Sequence, residues 1–444
     1  MRSISRSAAG RRRGAAIALA AAGIAAFAAS AQAGDDAGYE DTVTGNWNGW
    51  RTRLRDQGIN LSLGYEFETA ANLAGGRRTG VRYTDQWAAT TRLDLQKLVG
   101  LPAAALQFTV TDRNGRNLSS DEQLGTLQQV QEVYGRGQTW RITQLWYNQT
   151  YFDGALDWKA GRLTVGEDFA SFSCEFMNLT FCGSQPGNLV GDYWYNWPVS
   201  QWAGRIKANL AEFGYAQLGG YEINPNWLTR RYAFYFGSPP GATGALVPAE
   251  IGWLPSFGPD QLSGSYKFGA WYNTSKTADV VKNTQGGLLA LGAGAPLQHD
   301  GAYGGYVNFQ QKLTKAPPDW PDQGISFFFN ATFADRRTAT LANQIAFGIF
   351  DTGPFDARPT DQLGIAFGRT HVNDRVAAAE EAQNAAAVAP VGVQHSEYVW
   401  EIYYKLHASP GIYIQPNIQY IHKPGGIVKN KDVVISGLKF SVRL

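Results

Sequence analysis

Charged side chains alternate with apolar ones along many short segments of this 444-residue chain. Arginine carries five N–H donors and a carboxylate only accepts hydrogen bonds, so together they suit a solute with many hydroxyl groups. An aromatic side chain adds an apolar surface for such a solute. The candidate contact residues are Glu66, Arg92, Arg113, Lys159, Arg205 and Glu401 on alternating segments, and Trp194 and Trp197 in a long loop. Alternation places the charged members of this set on the polar face of their segments, where a solute would meet them.

Catalytic and metal-binding patterns are weak by comparison. The triplet Asp351-Thr352-Gly353 is typical of aspartic proteases, but their chemistry needs two carboxylates that share a proton, and the triplet occurs once. His395 and Ser396 are adjacent, so a strand would point them to opposite faces and separate a base from a nucleophile. The five histidines lack metal-site spacing. We therefore predict no enzymatic activity, no metal ion and no cofactor.

Two cysteines, Cys174 and Cys182, are the whole cysteine content of the chain. Two thiols are too few for a structural zinc site, which needs four ligands. In an exported chain they would meet an oxidising compartment, so we predict a local disulfide that stiffens one long loop.

Residues 1–33 have the features of an export signal. Five arginines precede an apolar run from Gly14 to Ala28, and Ala31-Gln32-Ala33 forms a small-x-small cleavage site. Cleavage before Gly34 would change the net charge from +2 to 2 − 5 = −3. The basic character therefore belongs to the signal, and the chain carries no footprint for nucleic-acid binding.

The last segment of the chain alternates like a strand with one apolar and one polar face. Its apolar positions are Val434, Leu438, Phe440, Val442 and Leu444, and Lys439, Ser441 and Arg443 lie between them. After the export signal, no stretch approaches the roughly 20 apolar residues of a membrane-spanning helix. A membrane protein without such helices must be a closed barrel, and the 13% aromatic content suits its interfacial girdles.

The predicted fold is all-β: a transmembrane antiparallel β-barrel of about sixteen strands, preceded by a short periplasmic helix. We predict three regions, which are a signal peptide at 1–33, an N-terminal periplasmic segment with the helix at 34–58, and the barrel at 59–444. Short turns alternate with long Gly- and Pro-rich stretches at 115–138, 164–200, 224–245, 273–301 and 373–394. A secreted soluble β-sandwich is the alternative, because alternation cannot distinguish inside from outside.

Several segments in order resemble the carbohydrate-selective porins of the OprB family. They include the entry Thr44–Thr52, the hairpin Leu145–Gln149 with Lys159–Leu163, and the strand Gln415–Ile421. The entry departs from the family pattern by reading Asn-Trp-Asn-Gly-Trp, and Leu444 replaces the usual terminal aromatic residue, which would weaken recognition by the barrel assembly machinery.

The resemblance implies passive diffusion of monosaccharides such as glucose into the periplasm, across the outer membrane of a Gram-negative bacterium. It implies that the loop with both cysteines folds inward and narrows the pore. The expected partners are monosaccharides, outer-membrane lipid, lipopolysaccharide and the barrel assembly machinery, with no nucleic acid. The functional state is a monomer or a homo-oligomer. A general or anion-preferring pore, or an outer-membrane barrel hydrolase, remains as an alternative.

Overall fold

The computed structural model of the chain describes residues 39–292, 294–387 and 389–444. The predicted export signal, residues 1–33, lies outside the described residues. The helix predicted within residues 34–58 is present as α1 (Trp50–Asp56), after a 3₁₀ turn at Trp47–Gly49. Gly58 then turns the chain into the first strand with a φ of +96°, a conformation that glycine adopts without steric cost.

Within the described ranges, seventeen strands form one sheet. They are β1 (Ile59–Ala74), β2 (Val81–Asp94), β3 (Ala104–Gly115), β4 (Trp140–Tyr151), β5 (Leu156–Leu163), β6 (Gln201–Asn209), β7 (Gly214–Ile223), β8 (Gly244–Trp253), β9 (Ser256–Phe257), β10 (Leu262–Asn283), β11 (Pro296–Lys312), β12 (Gly324–Ala334), β13 (Leu341–Thr352), β14 (Gln362–Val372), β15 (Ser396–Ser409), β16 (Ile412–His422) and β17 (Val433–Arg443).

The sheet closes into a barrel, because β1 pairs antiparallel with β17 as well as with β2. The closing register places Gly64 opposite Arg443 and Phe67 opposite Phe440. The two-residue β9 pairs with β10 beside the ring, so 17 − 1 = 16 described strands form the ring itself. The predicted sixteen-stranded antiparallel barrel is confirmed.

The remaining helices are short and lie in the connections: α2 (Leu95–Val99), α3 (Leu118–Asp121), α4 (Val165–Asp168), α5 (Pro186–Leu189) and α6 (Asp374–Ala385). Among the described residues, no helix combines the length and apolar character needed to cross a membrane. The connection expected at 273–301 is shorter than predicted, because β10 and β11 extend to Asn283 and Pro296. The long connection 164–200 matches the gap between β5 and β6.

The alternation of the strands separates an apolar outer face from an inner face. On β1, Glu68 and Ala70 are buried on the inside, whereas Leu63 and Leu73 are exposed on the outside. Aromatic rings pair across outer faces, as Tyr65 does with Trp87 at 4.4 Å between ring centroids. The predicted apolar faces therefore point outward, where a membrane barrel meets lipid.

Part of the inner face is apolar, which the alternating pattern did not predict. One buried cluster joins Phe172, Phe176 and Phe181 of the β5–β6 connection to inward residues of the wall, including Phe328, Phe350, Val399, Tyr403, Ile421, Val433 and Ile435. A second cluster joins Phe169 and Trp194 of the same connection to Trp271 and Tyr306. The wall is apolar where this loop covers it, since burial of a side chain on both sides favours apolar residues.

Candidate functional site

The loop between β5 and β6, residues 164–200, folds into the barrel and is fixed there by a wall carboxylate. The backbone N–H groups of Met177 and Asn178 donate to the two carboxylate oxygens of Glu401 on β15, at 2.8 Å each. The Asn178 side chain also donates to Gln419 on β16 at 2.9 Å. These bonds satisfy backbone donors that the fold has removed from water.

Aromatic packing supplies a second anchor for this inward loop. Phe176 is fully buried and lies 4.8 Å from the ring of Tyr403, 5.6 Å from Phe350 and 5.9 Å from Phe328. Ring pairs at these separations stabilise a contact beyond the area they bury. The loop is thus held by directional bonds and by apolar burial together.

The cysteines stiffen the loop from within. Cys174 and Cys182 form a disulfide, as the sequence predicted. The bridge encloses the segment that carries Phe176, Met177 and Asn178, so the anchoring groups lie on a short closed ring.

The loop between β3 and β4, residues 116–139, also lies against the inner wall. Leu127 N donates to Glu397 on β15 at 2.7 Å. Lys439 on β17 donates to Glu132 at 2.8 Å and to the carbonyl oxygen of Cys174 at 3.3 Å. Lys439 therefore ties both loops to the last strand, and Glu66 and Glu68 lie 3.9 and 3.7 Å from the same ammonium.

An arginine and a tryptophan meet beside the narrowed passage. Gln86 on β2 accepts hydrogen bonds from Arg113 Nε at 2.7 Å and from Trp197 Nε1 at 2.9 Å through the same oxygen. Arg113 is 5% exposed, whereas the Trp197 ring is half-buried. This arrangement fixes the indole, and part of its surface stays exposed.

A second charged group lies further along the same side of the wall, at β5, β6 and β7. Asp168, in α4, accepts from Lys159 at 2.6 Å and from Tyr221 at 3.2 Å, and it lies 3.5 Å from Arg205. Burial would raise the pKa of Asp168, but Lys159 and Arg205 outweigh that effect and hold the pKa below its usual value. The carboxylate stays ionised and joins the inward loop to β5, β6 and β7.

Comparisons with known proteins agree with this geometry. The model of a family described as "Carbohydrate-selective porin, OprB family" matches residues 78–444. Porin B of Pseudomonas aeruginosa is 44% identical over 413 residues, which cover 89% of this chain and 90% of that protein. The chain belongs to the OprB family. The putative porin QuiX of Acinetobacter baylyi is 33% identical over 90% of this chain and 92% of that protein.

A solved OprB structure shows the same architecture. The structure of Pseudomonas putida OprB at high pH superposes with a TM-score of 0.88 at 41% identity, covering 92% of this chain and 99% of that one. This OprB-family member is therefore a sugar-selective porin of the outer membrane of Gram-negative bacteria, and a channel rather than an enzyme.

The sequence-derived candidates fall into different positions in this OprB-family barrel. Arg113 and Trp197 meet at Gln86, and Lys159 and Arg205 meet at Asp168. Arg92 lies on β2 opposite Asn60 and Gln107, near the end of the barrel where the turns are short.

Two candidates, Trp194 and Glu401, are covered by the inward loop and stabilise it instead of lining the lumen. Trp194 is 0% exposed, donates to Ser184 at 3.1 Å and packs edge-on against Trp271, so its ring lies in the core of the loop. Glu401 is 1% exposed and uses both carboxylate oxygens to hold the loop. The alternating pattern placed Glu401 on the inner face but could not show that a loop covers it.

Sequence reasoning missed Gln86, Asp168 and Glu132. Gln86 alternates with Tyr83, Asp85 and Trp87 on β2, so the period of two that identified Arg113 would also have selected it. Asp168 and Glu132 belong to connections, and their partners on distant strands are set by the fold of those connections. Periodicity gives no signal for such residues.

Proposed function

We propose that monosaccharides such as glucose diffuse passively through the lumen into the periplasm, and that Arg113, Trp197 and Glu66 contact them. The observation that carries this proposal is the shared bond of Arg113 and Trp197 to one Gln86 oxygen. It places a guanidinium, which binds hydroxyl oxygens, beside an aromatic surface, which packs against the apolar face of a sugar ring. Glu66 adds an acceptor near this pair, because its carboxylate interacts electrostatically with the Arg113 guanidinium and lies 3.9 Å from Lys439, which also binds Glu132.

Lys159, Arg205 and Arg92 complete the proposed pore lining. The first two are paired with Asp168 and line the wall beside the inward loop. Their role would be to hold that loop and to present ammonium and guanidinium edges to passing hydroxyl groups. Trp194 and Glu401 act in this scheme as supports of the loop, since the polar atoms of both already bond to residues of the loop.

The short turns and α1 face the periplasm in this proposal, and the long loops face outward. Residues 1–33 direct export and are removed before Gly34. The barrel assembly machinery inserts the chain, and lipid and lipopolysaccharide surround its apolar outer face. Because the ring closes within one chain, one copy supplies a complete pore, alone or in a homo-oligomer.

The deciding experiment measures single-channel conductance of the mature protein in planar bilayers while glucose is titrated against tetraethylene glycol, a neutral non-sugar solute of similar size. We expect stepwise conductance that glucose reduces and the glycol leaves unchanged. Equal reduction by both solutes would identify a general pore and remove the sugar assignment.

Replacement of Trp197 by alanine should weaken the glucose block. A ring contact of this kind is worth about 0.5–1.5 kcal/mol, so the apparent glucose affinity should fall by about twofold to twelvefold. Trp197→Phe should keep most of the affinity. Trp87→Ala is the matched control, because Trp87 neighbours Gln86 on β2 but lies on the outer face and is 38% exposed. If Trp197→Ala blocks as tightly as the unmodified protein, Trp197 does not contact the sugar.

A further inference from the structure

A cavity of about 200 Å³ lies inside the barrel, toward the end with short turns, and three lysines line it. They are Lys207 on β6, Lys267 on β10 and Lys312 on β11. The other lining residues are uncharged: Ser171, Tyr215, Ser263, Ser265, Gln310 and Gln311 are polar, whereas Leu254 and Gly264 carry no polar side-chain group. Water occupies about 30 Å³ per molecule in the liquid, so the cavity holds one small solute and not an oligosaccharide.

The strands direct these lysines inward. Lys267 lies between Tyr266 and Phe268, whose rings pack on the outer face against Phe309. Its ammonium instead reaches Ser171 of the inward loop, with the carbonyl oxygen at 2.6 Å and the hydroxyl at 2.8 Å. The part of the inward loop at Ser171 therefore forms one side of the cavity.

Carboxylates do not neutralise these ammonium groups directly. Within the described ranges, none of the three lysines lies within ion-pair distance of a carboxylate, in contrast to Lys159, whose Nζ is 2.6 Å from Asp168. Lys207 lies 4.0 Å from the centroid of the Tyr215 ring, and Lys312 donates to the carbonyl oxygen of Pro321. Each ammonium has three donors, so donors remain for a ligand.

The acidic residues near this cavity are already engaged. Glu250 accepts from Tyr215 at 2.7 Å, and from Gln217, Tyr306 and the backbone of Ala170 at 2.8 Å each. Asp168 is held by Lys159 and Tyr221, and Asp157 pairs with Arg205. A concave site lined by charges of one sign concentrates counter-ions. Glu250 attracts Lys207 and Lys267, and Asp322 attracts Lys312, from beyond ion-pair distance. The lining thus combines three lysines that form no direct ion pair with several uncharged hydrogen-bonding groups.

We infer that this cavity is a binding site for a small polyhydroxylated carboxylate, the chemical class of the sugar acids. The carboxylate binds between Lys267 and Lys312, and hydroxyl groups bind the serine and glutamine side chains. The inference rests on the proposed sugar path through the lumen and extends it, since the cavity lies beyond the Arg113 and Trp197 pair on the way to the short-turn end.

The test compares the block of single-channel current by gluconate, acetate and glucose in planar bilayers. Acetate has the carboxylate without the hydroxyl groups, and glucose has the hydroxyl groups without the charge. We expect gluconate to block at lower concentration than either, and its block to weaken as salt screens the lysines. A gluconate affinity equal to that of acetate, or equal to that of glucose, would overturn the inference.

The double variant Lys267→Gln with Lys312→Gln should lower the apparent gluconate affinity by at least about tenfold, because it removes both charged donors to the carboxylate. The matched control is Lys315→Gln, which removes the same charge at the same end of the barrel from an exposed pair with Asp260. Glucose block should persist in the double variant. If gluconate block also persists unchanged, the cavity is not its site. If glucose fails to block even the unmodified channel, the proposed sugar path is at fault instead.

Discussion

Replacement of Glu401 by alanine should raise the single-channel conductance and weaken the glucose block. Its carboxylate accepts the backbone N–H groups of Met177 and Asn178 deep inside the barrel. Alanine leaves both donors buried without a partner, at a cost of about 1–3 kcal/mol for each. The loop tip is then less stable in its inward position, so the passage widens and the Trp197 surface is less well fixed.

Two further variants, and a check that Glu401→Ala still folds, separate this effect from general damage to the barrel. Glu401→Gln keeps one acceptor oxygen and should give an intermediate conductance. Glu397→Ala removes a carboxylate of the same strand that holds Leu127 and Gly425 instead, so it should loosen the β3–β4 loop and leave Met177 in place. A heat-modifiable Glu401→Ala barrel with unchanged conductance would show that the other anchors, including the aromatic packing around Phe176, hold the loop without Glu401.

The strands were predictable because the chemistry of their two faces is read directly from alternate positions. Leu106, Phe108 and Val110 alternate with Gln107, Thr109 and Thr111 in the sequence. The second set lies on the inner face of β3 and is buried. A one-residue error of register would invert both faces, so this signal is strong. Closure of the ring was predictable because the edge strands of an open sheet would leave backbone N–H and C=O groups without partners in a membrane.

The environment of the inner-face side chains was less predictable, because an inward loop can cover such a side chain and remove it from water. Val433 and Ile435 on β17 are fully buried beside Phe176 and Met177, although the pattern of the last strand places them opposite its lipid-facing side chains. Trp194 is likewise enclosed by Trp271 and Tyr306. These contacts join residues far apart in the chain, and local periodicity carries no information about them.

Replacement of Arg51 by alanine should lower the thermal stability of the barrel more than its place in a seven-residue helix would indicate. Arg51 is 4% exposed, and its guanidinium donates to the carbonyl oxygens of Leu61 at 3.3 Å and of Leu444 at 3.0 Å. It therefore joins β1 to the end of β17, across the seam that closes the ring. Its charge also lies over the ring of Tyr39, 4.3 Å from the centroid.

Hydrogen bonds to a charged group are worth about 1.5–3 kcal/mol, and Arg51→Ala removes several that meet at one seam. We expect a lower temperature for the shift from the compact to the unfolded form in a heat-modifiability gel. Arg51→Lys keeps the positive charge but lacks the planar guanidinium. Its unfolding temperature should therefore lie between those of the unmodified protein and Arg51→Ala. Arg53→Ala is the control, because Arg53 contacts its own helix region at Gly49 and Asn48. If Arg51→Ala and Arg53→Ala unfold at the same temperature, strand pairing alone closes the seam between β1 and β17.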